Sequence, residues 1–196
     1  ICRLEPVRLS PGVRAVDHAT EGLCSPESYP VGDGMYRQAL RLLSSSLLRT
    51  KRDPGDLDAR LESFYGIWLA IAGRHGGVEM GASHAIGHVL GGSCGVPHGY
   101  TSCVMLPHVL RYNRAANAAR QRLVADALGH PGEDAADVLE SFIAELGLPH
   151  RLADVGIGAE QFPLIATTAM HDRWLHKNPV RITSPEQVLK ILEAAA

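Results

Sequence analysis

The chain has few cysteines, few aromatic residues and no excess of either charge. Four cysteines occur in 196 residues, aromatic residues make up 5% of the chain, and 19 Lys and Arg stand against 21 Asp and Glu. Cysteines this sparse, with no CxxC pair, exclude a disulfide scaffold and indicate free thiols in a reducing compartment. Because the charge is balanced, the chain has no excess of basic residues that would bind nucleic acid or a membrane surface. We therefore expect a cytoplasmic protein that binds neither.

Long apolar runs and strand-like alternation are also absent. The longest apolar run, IWLAIAG from Ile67 to Gly73, is far shorter than the roughly 20 residues that a membrane-spanning helix requires. Apolar residues instead recur at helical spacing, and 45% of the chain is hydrophobic, which is enough for one core. The sequence predicts a single all-α domain over residues 1–196, with eight or nine helices. Because the first residue is Ile1 rather than Met, we expect a longer natural polypeptide.

Turn signals divide the chain into predicted helices. Ser10-Pro11 starts a helix over 12–23, and a second helix over 35–50 ends before Pro54. Residues 57–74 carry apolar side chains so densely that this helix should be buried on most of its surface, at the centre of the core. Two helices should flank the glycine-rich connection GGSCGVPHG. Further helices are predicted over 117–128, 134–146, 160–170 and 185–194.

Histidine is more frequent than expected for a chain of this length, with ten in all, and three of them are close together. His84 and His88 are four apart, so a helix places both on one face, and His98 follows Pro97 in the next segment. Imidazoles from two elements aimed at one point can bind a transition metal or carry a proton. The alternative is that each histidine lies on a helix surface or is packed in the core. The neighbouring glycines favour a site, because they permit close approach of a ligand.

Two segments carry a resemblance to a known family. The run GASHAIGHVLGGSCGVPHGYTSCVMLPHVLRYN (81–113) and the helix GVRAVDHATEG (12–22) resemble the signature of the iron-containing (group III) alcohol dehydrogenases. Essentially the whole chain is similar to that family's all-helical C-terminal half, in the dehydroquinate synthase-like fold. The family's N-terminal half is an α/β nucleotide-binding domain, and no glycine fingerprint for one occurs in this sequence.

The resemblance implies an oxidoreductase that transfers hydride between NAD(P) and a small alcohol, aldehyde or oxo acid. The nucleotide would be bound mainly by the missing N-terminal domain, which is thus an expected partner. By motif position, His18, His84 and His98 correspond to three ligands of a divalent metal, iron or zinc. His88 corresponds to the histidine that lies near the nicotinamide and relays a proton, which gives it a catalytic and a cofactor-binding role.

Arg14 departs from the family pattern, in which an aspartate serves as the fourth metal ligand at this position. A guanidinium about 4 Å from a divalent cation would be repelled by on the order of 8 kcal/mol at an effective dielectric near 20. Arg14 must therefore either turn away or take the place of the metal, and Asp17 is expected to face another side of the helix. The departure makes the chain resemble the maleylacetate reductase branch, where activity is reported without a metal. As a catalytic residue, Arg14 could polarise a carbonyl oxygen or hold a carboxylate.

Two other functions remain open at this point. The first is a non-catalytic helical module for binding or assembly, derived from the same family. The second is a metal-assisted hydrolase on three histidines, for which the motif offers no carboxylate base. We also expect an uncovered cleft to leave apolar surface exposed, which would favour self-association into a homo-oligomer.

Overall fold

The computed structural model describes residues 5–196, with side chains from Leu9 onwards; Cys2 lies outside this range. Within it the chain forms eight α-helices and no strand, so the all-α prediction is confirmed. None of these helices is both long and apolar enough to cross a membrane. The helices are α1 (Glu5–Cys24), α2 (Pro30–Arg52), α3 (Leu57–Ala72), α4 (Ala82–Cys94), α5 (His98–Ala127), α6 (Ala135–Glu145), α7 (Phe162–Ala169) and α8 (Pro185–Ala194).

The largest differences between predicted and observed boundaries occur at three places. Helix α1 begins before residue 12 and continues through Pro11, whose side chain is exposed. Helix α2 begins at Pro30 rather than 35, because proline fits the first helical turn, where its missing N–H has no partner to lose. Helix α5 joins two segments predicted as separate helices, with one non-helical residue, Asn117, inside it.

The core has two parts that share α5. In the first part, α1, α2, α5 and α6 pack around leucines such as Leu23, Leu43 and Leu139. In the second, α4, α5, α7 and α8 pack around Ile86 and Met105, among others. Helix α5 therefore connects the two parts, and it packs against both α1 and α4, which carry most of the predicted site residues.

The prediction that helix α3 is the buried centre of the core is wrong. This helix packs against α2 through small residues, Ala59, Gly66 and Ala70. Ile67 and Leu69 pack against the core. Six other large apolar side chains face outward and are between 42% and 72% exposed: Leu57, Leu61, Phe64, Tyr65, Trp68 and Ile71. The dense apolar pattern therefore reflects two apolar faces, and the described residues cover only one of them.

Candidate active site

Helix α1 carries four polar residues, Arg14, Asp17, His18 and Glu21, on one face. Their spacing of three, one and three residues puts them on the same side over two turns. All four lie among buried apolar residues of the same helix. The first part of the site is therefore a polar stripe on an otherwise buried helix.

The N-terminus of α4 is joined to this stripe by hydrogen bonds to Glu21. The backbone N–H groups of Gly81 and Ser83 each donate to the Glu21 carboxylate at 2.9 Å. His84 Nδ1 lies 2.8 Å from Glu21 Oε2 and 3.5 Å from Asp17 Oδ2. A carboxylate at a helix N-terminus satisfies its free N–H groups and the helix dipole. Glu21 thus both docks α4 and holds the His84 ring.

The rings of His18 and His84 are in direct contact. His18 Nδ1 lies 2.8 Å from the Arg14 carbonyl oxygen, which can only accept, so this nitrogen carries the hydrogen. His84 Nε2 is 3.3 Å from both ring nitrogens of His18, and the ring planes are 79° apart. Because His84 Nε2 is equally far from the two His18 nitrogens and the two ring planes are nearly perpendicular, His84 Nε2 points at the face of the His18 ring.

Both of these histidines are neutral at neutral pH. Burial is the main cause, and it lowers the pKa of His18 to about 2 and that of His84 to about 3. The nearby Arg14 cation lowers the pKa of both rings further, while Asp17 acts in the opposite direction on His84. Neutral rings beside a permanent cation leave the guanidinium as the dominant positive charge.

Arg14 points into the site rather than away from it. The residue is only 8% exposed, and its Nη1 lies 3.1 Å from Ser102 Oγ and 3.5 Å from Thr101 Oγ1. A Cβ atom at Gly87 would lie 3.4 Å from Nη1, so the missing side chain there provides the space. Burial lowers the pKa of Arg14, but a guanidinium stays protonated in proteins. The site therefore contains a fixed, buried cation.

Asp17 belongs to this cluster, contrary to the expectation that it faces another side of the helix. Its Oδ2 accepts hydrogen bonds from Ser83 Oγ at 2.9 Å and Ser102 Oγ at 2.6 Å, and lies 3.9 Å from Arg14 Nη1. Burial raises the pKa of both Asp17 and Glu21. The expectation failed because Asp17 lies one helical turn from both Arg14 and Glu21, which puts it on their side of the helix.

His88 forms a second group with residues that follow α7. Its Nδ1 lies 2.7 Å from Asp172 Oδ2, and its side chain is 37% exposed. Trp174 packs against it with ring centroids 4.9 Å apart, and the same indole is 5.7 Å from His84. The His98 ring is parallel to His88 at 6.3 Å, and burial is the main cause that lowers the His98 pKa. Because Nδ1 donates to the carboxylate, Nε2 of His88 is left free to exchange a proton.

The predicted site residues thus meet in two pairs rather than at one point. Trp174 contacts one ring of each pair, His84 and His88. The sequence predicted the four histidines and Arg14 as site residues. It did not predict Glu21, Asp172 or Trp174. The polar stripe of α1 could have indicated Glu21, but no local pattern marks Asp172 or Trp174 as neighbours of α4.

A three-histidine metal site does not fit this arrangement. A metal binds an imidazole nitrogen along its lone pair, in the ring plane, whereas His84 Nε2 faces the flat side of the His18 ring. Among the described residues, the one group of three or more whose potential ligand atoms all lie within 4.8 Å of one another is Asp17, Glu21 and His84, and neither His18 nor His98 belongs to it. The carboxylates of this group already accept hydrogen bonds from Ser83, and the Arg14 cation adds repulsion.

Comparison with known proteins agrees with the fold and the motif. The family model for the C-terminal part of the Fe-containing alcohol dehydrogenase family matches residues 9–196. The chain belongs to this family.

Individual relatives include fungal and bacterial enzymes. Dehydrogenase ALT3 of Alternaria alternata is 38% identical over 96% of this chain and 57% of its own length. Maleylacetate reductase of Pseudomonas knackmussii is 33% identical over 86% of this chain and 47% of its own. The crystal structure of maleylacetate reductase from a Rhizobium strain is 30% identical, with a TM-score of 0.84 over 95% of this chain and 51% of that one. The chain thus spans about half the length of the relatives it matches.

Proposed function

We propose that this chain is the helical half of an NAD(P)-dependent oxidoreductase that interconverts a small alcohol with its aldehyde, ketone or oxo acid. The relatives named above are a dehydrogenase and maleylacetate reductases, which supports the reaction class. The nicotinamide, held mainly by an α/β partner domain, would supply or accept the hydride. Residues of this chain would orient the substrate, exclude water and move the proton.

The observation that carries the proposal is the His88–Asp172 pair. Asp172 holds His88 Nδ1 at 2.7 Å, which fixes the ring of this 37% exposed side chain and leaves Nε2 for proton transfer. An imidazole oriented by a carboxylate is an effective general acid and base. His88 would give a proton to the substrate oxygen during reduction and take it back during oxidation.

Arg14 would polarise the substrate carbonyl. Its guanidinium is buried beside two neutral imidazoles, and its nearest carboxylate, Asp17, lies 3.9 Å away. A fixed cation next to a carbonyl oxygen stabilises the negative charge that develops there as hydride arrives. The geometry of His18, His84 and His98 does not fit a metal ion bound by all three rings. The proposed mechanism therefore does not require iron or zinc at these residues.

The alternative is a non-catalytic helical module for binding or assembly. The observation that favours it is the chain's coverage of about half the length of its relatives. The two functions differ in whether NADH is oxidised when an aldehyde, a ketone or an oxo acid is supplied.

The test is hydride transfer by the longest polypeptide that the source gene encodes around this chain. We expect NADH or NADPH oxidation with at least one small carbonyl substrate. His88→Gln should slow this reaction by about a hundredfold or more, as the loss of a general acid does. The exposed His171 offers a matched control, and His171→Gln should retain the rate. Lack of turnover with every aldehyde, ketone and oxo acid tried would favour the non-catalytic module.

A further inference from the structure

Two arginines, Arg14 and Arg74, bring positive charge to the site, and only Arg14 has a carboxylate nearby. The nearest ion pair of Arg14 is with Asp17, at 3.9 Å. No carboxylate of the described residues lies within 4.0 Å of the Arg74 guanidinium. The Nε atoms of both arginines are buried and have no hydrogen-bond partner in the described part of the chain. Buried donors without partners are rare and costly, so a ligand that accepts from them would be favoured.

Arg74 lies against the same indole that joins the two histidine pairs. Its guanidinium carbon is 5.0 Å from the ring centroid of Trp174, a cation–π distance. The Trp174 ring is in turn 4.9 Å from His88 and 5.7 Å from His84. The positive charge of Arg74 is also among the causes that lower the pKa of His84. Arg74 therefore lines the proposed active site and is not a distant surface residue.

The segment that carries Arg74 is closely packed. A Cβ atom at Gly73 would lie 2.5 Å from a ring carbon of Tyr36, and one at Gly76 would lie 2.7 Å from the Tyr29 hydroxyl oxygen. The glycines on either side thus let this turn sit directly on two aromatic rings. The backbone position of Arg74 is fixed by that packing.

Nearby acidic side chains are engaged elsewhere. Glu79 accepts a hydrogen bond from Trp174 Nε1 and lies 3.6 Å from Arg173 Nη2. Asp172 is held by His88 and by the backbone N–H of Trp174. Arg74 is therefore not paired with a carboxylate of the described residues, and a neutral alcohol would not provide one.

We propose that Arg74 binds the carboxylate of an oxo-acid substrate whose carbonyl oxygen is held by Arg14. The planar fork of a guanidinium matches a carboxylate with two parallel hydrogen bonds. The Trp174 ring would support the chain of atoms between the two groups. This inference rests on the proposed function and narrows its substrate class to anionic oxo acids.

The test uses 4-oxopentanoate and its neutral methyl ester as probes on the 196-residue chain. Arginine Nε–H and tryptophan Nε1–H signals are followed by nuclear magnetic resonance during titration. We expect 4-oxopentanoate, but not the ester, to shift the Arg74 and Trp174 signals. Arg74→Ala should weaken binding about tenfold or more, as the loss of a hydrogen-bonded charge does. Arg74→Lys should restore part of the affinity.

Arg173→Ala is the matched control. Arg173 lies over the same indole, at 5.9 Å, but approaches Glu79, so its removal should change the affinity less than twofold. Equal binding of acid and ester, unchanged binding by Arg74→Ala, or no binding of 4-oxopentanoate would overturn the inference. Turnover of neutral aldehydes but not oxo acids by the longer polypeptide would refute only the substrate class. Carboxylate binding without any turnover would refute only the proposed function.

Discussion

At the scale of single residues, the site depends on what holds the Nδ1 atoms of three of its histidines. The Arg14 carbonyl holds His18, Glu21 holds His84 and Asp172 holds His88. The histidines could be named from the sequence because their motif is local. Asp172 could not, since it is 84 residues from His88 and only the packing of α7 on α4 brings them together.

The first prediction concerns the acid stability of the fold. The pKa of His18 is about 2 in the folded chain, well below its ordinary value of 6.5. Below pH 6.5 the His18 ring therefore binds a proton in the unfolded chain but not in the folded chain. The free energy of unfolding decreases as the pH is lowered. His18→Gln removes this proton uptake, so between pH 6 and pH 4 its unfolding free energy should fall less steeply, by about 1.4 kcal/mol per pH unit.

Urea unfolding at pH 7.5, 6 and 4.5 measures this difference. The exposed His171 provides the control, and His171→Gln should keep the slope of the unmodified chain. Parallel curves for the unmodified chain and His18→Gln would mean that His18 is not buried as a neutral ring.

The second prediction concerns the His88 ring. At pH 8 its Nδ1 should carry the hydrogen, because Asp172 accepts from it at 2.7 Å. Nitrogen chemical shifts of the ring distinguish the two tautomers. In Asp172→Ala the Nδ1–H preference should be lost, while the tautomer of His84, which depends on Glu21, should stay the same. An Nε2–H tautomer in the unmodified chain would contradict the proposed proton path.

At the scale of elements, helix periodicity predicted where most helices lie but not which face is buried. Helix α8 was predicted to within a residue, since a proline starts it and its apolar spacing is regular. Helix α3 was placed correctly but assigned the wrong burial, because apolar residues on both faces give no sign of which face meets α2. The close crossing of α1 and α5 was also not predicted.

The third prediction tests that crossing. A Cβ atom at Gly99 would lie 2.5 Å from Ser10 Cβ and 2.7 Å from the Ser10 backbone carbon. Gly99→Ala must therefore push α5 away from α1, and it should lower the unfolding free energy by roughly 1–3 kcal/mol. Denaturant unfolding at neutral pH measures it.

Gly92 in α4 is the matched control, because a Cβ atom there meets nothing within 4 Å. Gly92→Ala should raise stability by roughly 0.5–1 kcal/mol, as alanine does in a helix interior. A Gly99→Ala variant as stable as Gly92→Ala would show that the two helices are farther apart than described.

At the scale of the whole molecule, residues 9–196 form the helical part of a family whose members named here are about twice as long. A dinucleotide is normally held by a strand, a glycine-rich turn and a helix N-terminus. Residues 5–196 contain no strand. The all-helical composition could be foreseen from periodicity, whereas the inward position of Arg14 required the three-dimensional packing around Gly87.

The fourth prediction follows for the 196-residue chain by itself. It should not oxidise alcohols or reduce carbonyl compounds at a measurable rate with NAD(H) or NADP(H). Its affinity for NADH, measured by nicotinamide fluorescence, should be far weaker than that of the longer polypeptide. Robust nicotinamide-dependent turnover by the 196-residue chain would contradict this prediction. It would mean that helices alone can bind the nucleotide productively.

The proposed mechanism depends most on Arg14 acting as the fixed cation of the site, and zinc binding tests this role directly. Equilibrium dialysis should find weak Zn²⁺ binding by the unmodified chain, because the guanidinium repels a divalent cation and the His84 nitrogen faces a ring. Arg14→Asp should raise the affinity by about a hundredfold or more, since it removes the repulsion and adds an anionic ligand. Tight, stoichiometric binding by the unmodified chain, or no gain in Arg14→Asp, would contradict the account.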